Sequence, residues 1–320
     1  MEALARAICQ KENIEAETLE PLSGGQVNGV FLVNQRYVVR IGSGQEASRR
    51  LQSEANLLRE IAGEIPVPEV YAFGQHEGST YQIQRFVRGE KLHHIWGDLS
   101  PDRKDRIISE LTSYLRTLHQ HSAPQFGYPH GGGDTSGSWP EFCEHRLRIE
   151  LQAVEALGIG IPSEILRLIT GYFHNHKHVL QGGIPSLVHR DLWPGNILVE
   201  KGRISAILDF EFSMYAPRDY ELLLIERFCL YPNDYAEEDN EIYDTSSFSD
   251  LFCLLRKHYP EIFEIRSLRE RLNLYHLLYS LEAHVAWRKT QGGTVGGDLP
   301  IQPIATALNF VFDHGARMFR

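Results

Sequence analysis

Cysteine is scarce: Cys9, Cys143, Cys229 and Cys253 are the only four in 320 residues, and none forms a Cys-x-x-Cys pair. Such spacing indicates neither a disulfide framework nor a zinc site, and a reducing cytoplasm is the natural compartment. Long apolar runs are also missing. None approaches the ~18 residues of a membrane span, and the N-terminal MEALARAICQKENIE is amphipathic and charged, unlike a secretion signal. Positive charge is in deficit, with 32 Lys and Arg against 42 Asp and Glu, a net charge of −10. That balance argues against general nucleic-acid binding, which needs a basic face, and is compatible with a cationic small substrate. The deficit is uneven. Phe228 to Leu255 contains no Lys or Arg, yet Asp234, Glu237, Glu238, Asp239, Glu241, Asp244 and Asp250 all fall there. Such a stretch is either a solvated loop or a cation-attracting wall of a pocket.

What is present is an ordinary globular composition, 42% hydrophobic and 23% charged, long enough for two lobes and without an internal repeat. The first 80 or so residues read as β-rich with one helix, the rest as helical with a short β insertion. Val30 to Ile41 is two apolar strands around a turn at Asn34 and Gln35. Ala47 to Ala62 puts Leu51, Ala55, Leu58 and Ala62 on one helical stripe, which Pro66 and Pro68 terminate. Tyr71 to Val87 alternates and turns at Glu77-Gly78, and its last strand leads into the helical region as a hinge. From Pro101 to about His121 the spacing of Ile107, Leu111, Tyr114, Leu115 and Leu118 predicts a helix. Phe126 to Pro140 is a glycine-rich loop, either a lid or a mobile segment.

The chemistry concentrates in LVHRDLWPGNILV, Leu187 to Val199, followed by ISAILDFE. A hairpin turning at Lys201-Gly202 would bring Asn196 and Asp209 side by side. An amide oxygen and a carboxylate are hard ligands suited to Mg²⁺, which takes its other ligands from water and substrate phosphates. Asp191 would then accept a hydrogen bond from a substrate hydroxyl, the arrangement phosphoryl transfer requires. His189 is expected to support the loop rather than act as base. The crowded His174, His176 and His178 lack the spacing of a zinc helix and read as a solvated surface.

His189 to Asn196 resembles the HxDxxxxN catalytic loop of the protein-kinase-like superfamily, and its xxPxN wording resembles aminoglycoside phosphotransferases and choline kinases. Asp209-Phe210-Glu211 stands where protein kinases have Asp-Phe-Gly. The resemblance implies an α+β, bilobal protein-kinase-like fold, with an N-lobe of residues 1–87 and a C-lobe of 88–320. It also demands an N-lobe nucleotide site. Ser23, Gly24, Gly25, Asn28 and Gly29 precede a strand and resemble the family's Gly-Gly-x-x-Asn loop, with Ser23 and Gly25 facing phosphate. No lysine occurs between Lys11 and Lys91, so Arg40 in Val38-Val39-Arg40-Ile41 must replace the usual strand lysine. Glu54, fourteen residues on, is its expected partner. Gln84 to Gly89 resembles the hinge, where the backbone of Arg85 and Val87 would meet a nucleobase. Glu221 is read only as a helix-capping acid.

The expectation is therefore a kinase using ATP or GTP and Mg²⁺ to phosphorylate a hydroxyl on a small molecule, with an aminoglycoside as the favoured acceptor. A metabolite kinase for choline, homoserine or a fructosamine and a non-catalytic nucleotide-binding scaffold are the alternatives. A protein kinase is disfavoured, since Arg218-Asp219-Tyr220 follows Asp209 too soon for an activation loop.

Overall fold

A computed structural model describes residues 1–22, 29–235, 243 and 247–290. The N-terminal part is built from α1 (Glu2–Lys11), β1 (Leu19–Pro21), β2 (Gly29–Val33), β3 (Tyr37–Ser43), α2 (Gln45–Ile61), β4 (Val70–His76) and β5 (Ser79–Arg85). Its strands form one antiparallel sheet in the order β1-β2-β3-β5-β4. Both expected hairpins form without an Asn-Gly turn. Asn34 and Gln35 take φ of 53° and 51°, and Glu77 and Gly78 take 48° and 76°, the left-handed values that a tight hairpin demands. Asn34 is held there by its side chain, which accepts from the Thr18 amide at 2.9 Å and donates to the Glu15 carbonyl at 2.6 Å.

Period-two alternation divides the sheet's faces. Phe31, Val33, Val39, Ile41, Tyr81 and Ile83 face α1 and pack on Ala5, Ile8 and Cys9 as one core. Arg40 and its cross-strand neighbour Gln82 therefore face the other way, toward α2. That helix belongs to a second core, in which Leu57, Leu58 and Ile61 pack with the C-terminal part.

The C-terminal part comprises β6 (Glu90–Lys91), α3 (Leu92–Ile95), α4 (Pro101–Leu118), β7 (Phe126–Gly127), β8 (Thr135–Ser136), α5 (Trp139–Ala156) and α6 (Ser163–His176). After these come β9 (Ser186–Val188), β10 (Ile197–Glu200), β11 (Arg203–Ile207), β12 (Met214–Ala216), α7 (Leu222–Leu230), α8 (Ser249–His258) and α9 (Leu268–Thr290). β10 pairs with both β11 and β6, and β12 joins β9 to β7 and β8. The α4 face is as expected except that Tyr114 is only partly buried.

The glycine-rich segment takes regular structure. It forms β7, a 3₁₀ turn at Pro129–Gly131 and β8, and lies against α2. Ser53 Oγ donates to the Pro129 carbonyl at 2.9 Å, and a Cβ at Gly132 would come within 2.9 Å of that hydroxyl. The glycines thus permit a close backbone approach to the helix that carries Glu54. Among the described residues no helix is long and apolar enough to cross a membrane.

Candidate active site

The β10–β11 hairpin turns through Lys201 and Gly202, with φ of 52° and 77°, and returns the chain so that Ile197 pairs with Ile207. The Leu208 amide donates to the Asn196 carbonyl at 2.8 Å, which sets Asn196 and Asp209 beside each other as the spacing predicts. Asp209 sits at a left-handed φ of 62°. Asn196 Nδ2 donates to the Asp191 carbonyl at 2.8 Å and to Asp191 Oδ2 at 3.0 Å, which turns the amide nitrogen to Asp191 and leaves Oδ1 to face elsewhere. Burial, then the charge of Asp209, push the Asp191 carboxyl well above the usual carboxylate range, against the pull of the Asn196 bond.

His189 is fully buried and ties the two strand ends together. Its Nε2 meets the Leu208 carbonyl at 2.7 Å, so that nitrogen carries the proton, and Nδ1 accepts from the Asp191 amide at 3.2 Å. Both ring nitrogens are thereby committed to backbone, with the ring neutral, and burial lowers its proton affinity further. This is the support role expected of it.

The loop is anchored from below by a residue that sequence reading assigned only to capping. Glu221 makes no side-chain cap to α7. Instead its buried carboxylate accepts from the backbone amides of His189 at 2.8 Å and Arg190 at 3.3 Å and meets His119 Nε2 at 3.2 Å. Arg190, at a φ of 67°, is held from α9 by Glu282 at 2.5 Å and donates to the Tyr128 hydroxyl at 3.0 Å. Gly195 is required by packing, since a Cβ there would lie 2.1 Å from the Trp193 ring.

On the sheet side, the pair expected between Arg40 and Glu54 forms. Arg40 Nη1 lies 2.6 Å from both Glu54 oxygens, while Nη2 reaches Asp209 Oδ1 at 3.2 Å and Glu211 Oε2 at 3.0 Å. Glu54 Oε1 also accepts from the Phe210 amide at 3.2 Å. Three carboxylates therefore surround one guanidinium. Burial raises the Glu54 carboxyl to about 7 despite Arg40, and it raises that of Glu211, with the charge of Asp209 adding to both. Glu211 was not among the expected site residues.

At the expected hinge, the Phe86 amide donates to the Arg36 carbonyl at 2.9 Å, just past the end of β5. The Arg85 amide is already used by the Glu69 carbonyl at 2.8 Å, on the side opposite to Arg36. Ser23, Gly24, Gly25 and Asn28 of the expected phosphate loop lie outside the described residues, and of that loop only Gly29 is seen, opening β2.

The acidic segment is only partly visible: Glu237, Glu238, Asp239, Glu241 and Asp244 lie outside the described residues. Asp234 pairs with Arg227 at 3.1 Å, and Asp250 accepts from Trp96 Nε1 at 3.0 Å and Lys104 at 2.8 Å. His174 and His178 are exposed, and His174 pairs with Glu144 at 3.2 Å. Among the described residues no cluster of three or more His, Cys, Asp or Glu could hold a metal by itself. Asn196 and Asp209 together offer one amide and one carboxylate, a partial set that suits an ion completing its shell from water and phosphate.

Comparison with known proteins agrees with this arrangement. A family model described as the phosphotransferase enzyme family matches residues 18–244. The aminoglycoside phosphotransferase APH(2'')-Ib, solved with ADP, is 18% identical with a TM-score of 0.70, over 99% of this chain and 98% of that one. The complex of gentamicin with APH(2'')-IIa is 18% identical with a TM-score of 0.68, over 100% and 98%. A thermostable mutant of APH(4)-Ia, in a ternary complex with AMP-PNP and hygromycin B, is 19% identical with a TM-score of 0.69, over 99% of each chain. A comparison with curated protein sequences returns no match. The family model spans well over half of the sequence, and the chain belongs to the phosphotransferase enzyme family, as a small-molecule phosphotransferase acting on a hydroxyl group.

Proposed function

We propose that the chain transfers the γ-phosphoryl group of ATP or GTP to a hydroxyl of an aminoglycoside, in a cleft between an N-lobe of residues 1–87 and a C-lobe of 88–320. One observation carries the reading: Arg40, Glu54, Asp191, Asn196 and Asp209, drawn from a strand, a helix and a loop far apart in sequence, converge on one site. A surface strand arginine or a helix-capping turn gives no reason for such convergence.

Asp191 is the group that accepts the acceptor's hydroxyl proton. Its raised proton affinity makes it a stronger base than an ordinary carboxylate, and Asn196 fixes its orientation. Arg40, held by Glu54, presents a planar fork to phosphate oxygens. The backbone of Arg85 and Val87 would hydrogen-bond the base, and Ser23 and Gly25 would cover the phosphates. Asn196 and Asp209 would hold Mg²⁺. The excess of carboxylate around Arg40 fits a divalent cation, which when bound neutralises charge on the transferring group.

For the acceptor, the net charge of −10 and the aminoglycosides bound by two of the similar structures support a cationic substrate. A smaller amino-alcohol metabolite is the second reading. It is favoured by Asp234 and Asp250 being engaged internally. An ADP-release screen over aminoglycosides, choline and other amino alcohols, with ATP and GTP as donors, separates these. Nucleotide binding without turnover on any alcohol would sink the enzymatic reading in favour of a scaffold.

A further inference from the structure

Two positions depart from the protein-kinase pattern, arginine in place of the strand lysine and glutamate as the third residue of Asp209-Phe210-Glu211. The fold brings them into contact, with Arg40 Nη2 3.0 Å from Glu211 Oε2.

A lysine ammonium is one compact charge that a single carboxylate can hold, whereas a guanidinium has two arms that each need a partner when buried. The Arg40 side chain is only 12% exposed. Its Nη1 arm is taken by both oxygens of Glu54. Its Nη2 arm lies between Asp209 and Glu211, and these two differ in position: Glu211 is 14% exposed and Asp209 38%. Glu211 thus holds the arm from the interior, and Asp209 touches it from the open side. Were Asp209 the arm's sole partner, the guanidinium and any bound cation would compete for one carboxylate.

We propose that Glu211 is a positioning residue for Arg40, an interior anchor for the second guanidinium arm that frees Asp209 to face metal and phosphate. This rests on the assignment of Asp209 and Arg40 made under Proposed function. It makes the arginine and the glutamate a coupled pair, so that arginine serves where lysine is usual because Glu211 is there.

The test is a double-mutant cycle in the full chain with Glu211→Ala, Arg40→Met and the double variant, plus Glu211→Gln. Calorimetry with ADP at varied Mg²⁺ reads the binding, and urea unfolding of the nucleotide-free protein reads the coupling. In the Arg40 background, E211A should raise the Mg²⁺ needed for half-maximal ADP affinity about tenfold, and ADP without Mg²⁺ should bind no worse. E211Q, which loses the same charge but keeps an acceptor for Nη2, should recover most of that loss. With methionine at position 40, E211A should change the Mg²⁺ requirement by less than about twofold. The same loss in both backgrounds would mean that Glu211 meets the metal directly, and equal losses in E211A and E211Q would mean that only its charge matters. Either result overturns the proposal. The unfolding cycle stands even where R40M no longer binds ADP: a coupling of at least about fivefold in the unfolding constant is expected, and none overturns the proposal. Failure of the wild-type chain to bind ADP would instead sink the nucleotide-site assignment, with the unfolding cycle still deciding whether Arg40 and Glu211 are coupled.

Discussion

Glu221 Oε2 lies 2.8 Å from the backbone nitrogen of His189, and this buried carboxylate is the foundation on which the loop bearing Asp191 rests. The bonds from His119 and His189 keep its proton affinity below the usual carboxylate range although burial alone would raise it. Glu221→Gln keeps the volume but replaces a charged acceptor of two backbone amides and a histidine with a half-donor amide. Urea unfolding should show a loss of about 2–4 kcal/mol, and turnover should fall more than nucleotide affinity. Unchanged stability would mean that the loop is held by other contacts.

Asp191→Asn should lower kcat by about 10²- to 10⁴-fold while nucleotide affinity, read by calorimetry, is retained. The sign of the pH effect follows from the raised carboxyl: the base works only when deprotonated, so activity is full above the raised value and lost as pH falls through it. The acid limb of kcat/KM should therefore stand above the ordinary carboxylate range. A limb at the ordinary position, or an active Asn variant, would remove Asp191 from this role.

His189 is neutral in the fold, and its proton affinity is depressed below its ordinary value of 6.5. The unfolded chain takes up a proton near pH 6.5 that the native ring refuses, so stability is present above that pH and declines as pH falls below it. The slope is at most about 1.4 kcal/mol per pH unit for one such group. Thermal unfolding from pH 7 to pH 5 should be shallower in His189→Asn than in the parent chain by up to one proton's slope. Parallel curves would show that His189 titrates alike in both states.

Gly195→Ala places a methyl against the Trp193 ring, which is itself wedged among His93, Phe228 and Tyr235. Relief requires the indole or the 3₁₀ turn at Pro194–Asn196 to move, and Asn196 moves with that turn. A loss of about 1–3 kcal/mol is expected in the unfolding free energy, with a higher Mg²⁺ requirement. Wild-type values of both would show that the ring has room to yield.

Much of the site was legible in the sequence because its parts are local or carry a fixed spacing. Both N-terminal hairpins, the α2 stripe and the run from His189 to Asp209 follow from alternation, helical period and turn residues within a few positions of one another. The Arg40–Glu54 pair was reachable too, since no lysine lies between Lys11 and Lys91 and Arg40 sits within an apolar strand. Glu211, Glu221, Glu282 and Tyr128 were not. Their partners lie 171, 32, 92 and 62 residues away, and no local pattern marks a glutamate that will end up under a loop. Glu221 at a helix start looked like a cap because capping is what a local rule offers such a residue.

The sequence by itself determined which polar groups the cassette carries and which strand and helix hold Arg40 and Glu54, because those residues sit at short, rigid spacings or on elements with a clear period. Only the tertiary structure decided how those groups are held. The orientation of Asp191 depends on His189 and Glu221, the fork of Arg40 on Glu211, and α2 on the glycine-rich segment packed against Ser53. Each is a buried polar contact between distant segments, and its partner is chosen by whichever group the folded core brings within reach of an atom that cannot go unpaired.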